Sequence, residues 1–250
     1  MMIVSVINMT NGIRSDTEVQ AAIRAINRQL AEDFEPYWGF GGMLRLEGRA
    51  VKSRRLLSQS DMRGDAVLYL TDMINRDGMA GFHDRNHPGI PYGVIYLELS
   101  HKLEEAWTTT FSHEALELIA DPQANLLVQG PHPLKPRRRV YHWFEMCDAV
   151  QSESYKIDGV RVSNFVLPLY FTPDAERGGR NDFLGTKRDG RTLKSFGANL
   201  GGYIGFFDPT IRKDDTFFAK KDPLARKRLR LKRRFRTGRG TLRRLRTLGR

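Results

Sequence analysis

Apolar and polar positions change rhythm several times along the chain. Met2 to Met9 is a β-rich run, and the Asn11-Gly12 pair behind it is a turn signal. Ser15 and Glu18 have the spacing of a capping box. Val19, Ile23, Ile26 and Leu30 then recur at helical intervals, which predicts an amphipathic helix over 16–33. Gly39, Gly41 and Gly42 close that unit. Leu44 and Leu46 alternate with Arg45 and Glu47 as in a half-buried strand, and Ala66 to Met73 reads as a buried strand. A Gly-, His- and Asn-rich stretch from Asp77 to Gly89 reads as a loop. Tyr92 to Leu99 is the next strand, and Ser100 is placed to cap a long helix that runs to Asp121-Pro122. Asn125 to Val128 and Arg139 to Cys147 look extended. Residues 155–165 suggest a hairpin turning at Asp158-Gly159. Thr172 to Arg191 is polar and Gly-rich, and Phe196 to Phe207 is aromatic with glycine interruptions. The order predicts an α+β fold, most simply one mixed β-sheet packed on two main helices.

The helix ending at Asp121 carries the chemistry. On a helical wheel Thr110, His113, Glu114, Glu117 and Asp121 fall within an arc of about 100°. Phe111, Ala115, Leu116, Leu118, Ile119 and Ala120 fill most of the rest. A helix apolar on most sides is buried. A buried stripe of one imidazole and three carboxylates has to be paired or hold a cation. His113 and Glu117 stand one helical turn apart on the same face and can grip one ion, with Glu114 beside them to act on a water. Asp121 sits at the helix C-terminus, where the macrodipole disfavours an anion, a hint that something positive is near.

A second cluster lies in Tyr141–Asp148, where His142, Glu145, Cys147 and Asp148 interrupt an otherwise apolar segment. In a strand Glu145 and Asp148 point to opposite faces and only one reaches the site; in a helical turn both do. His83 and His87 flank Asp84 in the predicted loop and read as surface residues. His101 and His132 have no supporting pattern, and Cys147 beside aromatics reads as core.

This order, with a strand running into Tyr96-Leu97-Glu98 and a helix carrying Ser112-His113-Glu114-Ala115-Leu116-Glu117, resembles a zincin-type metallopeptidase over roughly residues 1–170. The helix followed by Asp121-Pro122 and a later Glu145-Met146-Cys147-Asp148 also resembles an uncharacterised group of bacterial and phage proteins. The zincin resemblance implies metal-ligand roles for His113 and Glu117, general-base catalysis by Glu114, a divalent metal with zinc as first candidate, and a peptide substrate in a cleft lined by the preceding strand. It departs from the family where Glu117 replaces the second histidine of H-E-x-x-H. The third ligand is left open among Asp148, Glu145 and Asp121.

Charge adds a separate element. The net charge is +12, yet 15 of the 41 Lys and Arg fall within residues 220–250 beside a single acid, Asp222. Residues 1–219 are left at −2, so the basicity belongs to the tail. That tail, with Leu229, Leu231, Phe235, Leu242, Leu245 and Leu248 among its arginines, is expected to be disordered or conditionally helical. It would engage nucleic acid, anionic lipid or another polyanion. One cysteine rules out an intrachain disulfide, and neither a signal-peptide pattern nor a membrane-length apolar run is present. The expectation is a cytoplasmic protein with a metal-binding body over 1–219 and a basic tail over 220–250. Its activity is read as metal-dependent, peptidase-like hydrolysis, or alternatively as an inactive zincin-like binding or structural role anchored by the tail.

Overall fold

The computed structural model describes residues 1–47, 64–73, 80–102, 104–173, 179–187 and 192–219. The basic segment 220–250 and its expected helix lie outside the described residues. The fold is α+β.

Strand β1 (Met2–Met9) is followed by α1 (Asp16–Arg28), which starts at the capping box: Ser15 Oγ accepts from Glu18 N–H, and the Glu18 carboxylate accepts from Ser15 N–H at 2.8 Å. The expected single helix over 16–33 instead widens into a π-helical turn at Gln29–Phe34 and closes as α2 (Glu35–Trp38). The cause lies inside the fold. Gln29 is fully buried, and its amide bonds Ser112 Oγ at 2.6 Å, the Ser163 carbonyl at 2.7 Å and the Tyr155 hydroxyl at 3.1 Å. A π turn commonly marks such a local demand on one side chain.

Strands β2 (Gly42–Leu46), β3 (Ala66–Thr71), β4 (Gly81–Arg85) and β5 (Pro91–Tyr96) join β1 in a five-stranded sheet of order β2-β1-β3-β5-β4. All pairings are parallel except β4 with β5. The stretch 77–89 expected to be a loop therefore contains the edge strand β4. The expected strand at Tyr92–Leu99 ends at Tyr96, and the expected long helix is two: α3 (Leu97–Lys102) and α4 (Trp107–Ala120). Ser100 lies within α3 and caps nothing.

A second, antiparallel sheet of order β11-β10-β7-β6 is built from β6 (Leu127–His132), β7 (Lys135–Trp143), β10 (Tyr203–Asp208) and β11 (Lys213–Phe218). The hairpin of β8 (Ser154–Ile157) and β9 (Val160–Ser163) stands apart. Its turn is where the sequence puts it: Asp158 and Gly159 both take positive φ, 50° and 80°, which the tight two-residue turn needs. The expectation of a single sheet thus gives way to two sheets and a hairpin.

The main core fills the space between one face of the five-stranded sheet (Val4, Val6, Leu44, Leu68, Leu70, Ile95) and α1 (Val19, Ile23, Ile26) with α4 (Phe111, Ala115, Leu116, Leu118). Ser112 Oγ holds α4 in register, bonding Gln29 on one side and accepting from Ser163 N–H at 3.0 Å on the other. Among the described residues no helix is long and apolar enough to cross a membrane.

His142 gives the second sheet a pH dependence. The ring is buried against Phe196 and Phe206, and its Nε2 lies 2.9 Å from the Pro131 carbonyl. Burial lowers its pKa to about 4, while the unfolded chain titrates near 6.5. Between those values the unfolded state binds the extra proton, so stability falls as pH drops through this window, by at most about 3 kcal/mol from this group. Urea titrations at several pH values should show His142→Gln losing less stability than the parent between pH 6.5 and 4. Parallel curves would contradict the assignment.

Candidate metal centre

The polar stripe of α4 is buried beneath the edge of the first sheet. Pleating puts Gly81 and His83 of β4 on the face toward α4, while Phe82, between them, packs with Tyr92 and Tyr96 on the other face. Gly81 lies directly over Glu114: a Cβ there would sit 2.6 Å from the Glu114 carboxylate. Gly93, opposite His83 across the β4–β5 pair, is likewise too close to Leu68 and the Phe82 carbonyl to carry a side chain. Gly81 lets strand and helix approach until His83 Nδ1 is 3.8 Å from Glu114 Oε2 and 3.9 Å from Glu117 Oε2.

From the helix itself, His113 Nε2 lies 3.0 Å from Glu117 Oε2, the one-turn contact that the spacing predicts. The same imidazole nitrogen is 3.4 Å from Asp148 Oδ1. Strand β7 ends at Trp143, and the chain turns through Glu145–Cys147 into a 3₁₀ helix at Asp148–Val150. Cys147 N–H donates to Glu117 Oε1 at 3.0 Å, fixing this turn to the helix. The extended geometry expected over Arg139–Cys147 therefore fails after Trp143, and both Glu145 and Asp148 come to the cluster. Tyr203 of β10 brings its buried hydroxyl toward Asp148. It is brought there by the side-chain-free approach of Gly202 to the Ala149 carbonyl.

The electrostatics follow from burial and crowding. Burial opposes charge on both imidazoles, yet the surrounding carboxylates raise His83 and His113 above the ordinary histidine value. Burial pushes Glu114 up and, with its carboxylate neighbours, Glu145 far up. Glu117 is desolvated too, but the two imidazoles and the Cys147 N–H hold it below the usual range. The Cys147 thiol is pushed well up by burial and by Glu117, and Tyr203 by burial and Asp148. Three buried polar atoms of the cluster lack hydrogen-bond partners: His83 Nε2, Glu145 Oε2 and Asp148 Oδ1.

Two sets of ligating atoms each gather within 4.8 Å: His113, Glu117 and Cys147, and His83, Glu114 and Glu117. Ligands about 2.1 Å from a tetrahedral ion stand roughly 3.4 Å from one another, so the contacts of 3.0–3.9 Å are on the scale of one ion's coordination shell. Imidazole with carboxylate is a donor set for zinc or a harder divalent ion.

Of the residues singled out from sequence, His113, Glu114, Glu117, Glu145 and Asp148 are brought together. Asp121 is not. It lies eight residues beyond His113, about 12 Å along the helix axis. Its Oδ2 accepts from Leu126 N–H at 2.8 Å, which shapes the turn after α4. His83, read as a surface residue, belongs to the cluster with its side chain only 5 % exposed; the single apolar Phe82 beside it was too little signal for a strand. Tyr203 had no local signal. Comparisons with family models, curated proteins and solved structures return no match to this chain.

The Gly81–Glu114 contact can be measured by a double-mutant cycle. Gly81→Ala should cost about 1–3 kcal/mol by overpacking. In a Glu114→Ala background the same change should cost distinctly less, because the colliding carboxylate is gone. Strictly additive unfolding free energies would show that the two residues do not meet.

Proposed function

We propose that this cluster is a divalent-metal centre and that the protein is a metal-dependent, peptidase-like hydrolase on a zincin-like body. The observation that carries the reading is the convergence of two imidazoles from different elements on one buried carboxylate, Glu117. Partnerless buried atoms beside it support the same reading. When bound, the ion supplies Lewis acidity toward a substrate carbonyl. His113, Glu117 and His83 hold it, with Asp148, Glu145 or Cys147 completing the set. Glu114 takes the proton from the attacking water and returns it to the leaving amine, a role suited to a carboxyl whose pKa is raised by burial. An extended peptide is the substrate class that fits the neighbouring backbone: the outer edge of β4 has no strand partner among the described residues, and an added strand there would pass the cluster.

One observation favours the second reading, a closed site in a binding or structural protein. The side chains of Glu114, Glu117, His83 and His113 are only 4–13 % exposed, whereas catalytic ions need an open position. In that reading the basic tail over 220–250 anchors the body to nucleic acid or another polyanion.

Two experiments separate these readings. Elemental analysis of gently purified protein should find divalent metal in the parent, and Glu114→Gln should keep it. The same Glu114→Gln change should reduce turnover of a peptide library by at least about 100-fold, the scale of one general base. Metal without turnover in the parent selects the closed site; metal-free parent protein overturns both.

Truncation at 219 tests the tail. Ala219 N–H still bonds the Gly202 carbonyl at 3.1 Å, so the cut leaves β11 paired. The shortened chain should stay folded, change in net charge from +12 to −2, and lose its salt-sensitive binding to duplex DNA and anionic vesicles. Equal binding by both chains would place the polyanion site in the body.

A further inference from the structure

The cluster holds more ligands than one ion uses, and their arrangement has an internal division. One set is His113, Glu117 and Cys147, with Asp148 against the same imidazole; the other is His83, Glu114 and Glu117. The sets come from different directions, the first from α4 and the turn after β7, the second from α4 and the edge strand β4. Their shared member is Glu117.

Charge makes the same division. Glu114, Glu117, Glu145 and Asp148 carry four negative charges when ionised, and among the described residues their only ion-pair partners are the two histidines. As metal ligands those histidines are neutral. One divalent ion would then match only two of the four carboxylates and leave the other two to be protonated or buried as unpaired charge. Two divalent ions balance the four. They would also give a partner to Glu145 Oε2, and a stronger one to Asp148 Oδ1, two buried oxygens that accept no hydrogen bond.

We infer that the centre is binuclear, with Glu117 as the carboxylate bridging two divalent ions, one held on the His113 side and one on the His83 side. The inference rests on the metal reading above; it adds a second ion and the bridge, and assigns His83 to that second ion. Ions sharing a carboxylate in two-metal sites stand about 3.5–4 Å apart. Glu117 can serve because its Oε2 stands between the two imidazoles, 3.0 Å from His113 Nε2 and 3.9 Å from His83 Nδ1, while Oε1 is held by the Cys147 N–H. Glu117 is here a ligand position, and the Cys147 amide a positioning group that holds the bridging carboxylate in its plane.

The test is metal stoichiometry on the full chain. Protein stripped with a chelator is reloaded with Zn(II), freed of excess, and analysed for zinc per chain. The parent should hold two ions, His83→Ala one and His113→Ala one. Glu117→Ala should hold fewer than the parent. Co(II) titration of the stripped parent, followed by absorbance, needs no variant and should saturate at two equivalents. One ion in the parent, with both histidine variants empty, means a single centre: the binuclear inference falls while the metal reading stands. A parent that takes up neither Zn(II) nor Co(II) overturns both.

Discussion

A carboxylate removed from water must find a partner, and Glu117 is removed from water on a helix that is apolar on nearly every side. The surrounding architecture answers that requirement. His113 comes from one turn earlier on the same helix, and the Cys147 amide from the turn after β7. His83 comes from the edge of the first sheet. Two close approaches shape the cluster: Gly81 lets β4 down onto Glu114 of the helix, and Gly202 lets β10 against the turn that carries Asp148. Losing any one of these would leave charge buried without compensation, which costs more than the same change at a surface.

The Gln29 network sets where the helix sits. A π turn in the first helical unit aims Gln29 at Ser112, next to His113, and the same amide grips the β8–β9 hairpin through Ser163. Tyr155 extends this network to Asp33, with its hydroxyl donating at 2.7 Å. The face of α4 opposite the ligands is thus held by neutral hydrogen bonds that leave its charges free for the cluster. Apolar packing alone would allow the helix to rotate or slide by a residue. Hydrogen bonds from a buried amide of fixed shape do not.

Much of this was legible in the chain, because the relevant signals are local. The capping box at Ser15 and Glu18, the Asp158-Gly159 turn and the ionisable stripe on an apolar helix are patterns within a few residues, and each has its structural counterpart. The buried cluster was legible only in part. Asp121 shares the polar arc of His113 on the wheel but not its height, a distinction that a wheel projection discards. His83 sits in a short edge strand amid polar, Gly-rich sequence, where two alternating positions are too few to separate strand from loop. Glu145 and Asp148 both arrive because β7 ends early, at Trp143. Tyr203 is brought in by sheet pairing with a segment some sixty residues earlier, which leaves no trace in the sequence around it.

The central claim is that this buried cluster is built around divalent cations, and thermal unfolding of the full chain with and without chelator tests it most directly. An ion present at about 100 times its dissociation constant adds about 2.7 kcal/mol to folding stability. In a chain of this length that amounts to roughly 5–10 °C in Tm. Chelation should lower the Tm by about this much, and added Zn(II) in excess of chelator should restore it. The same treatment should shift the Tm of Glu117→Ala by less than that of the parent. A parent whose Tm is identical with chelator and with Zn(II) would contradict the account.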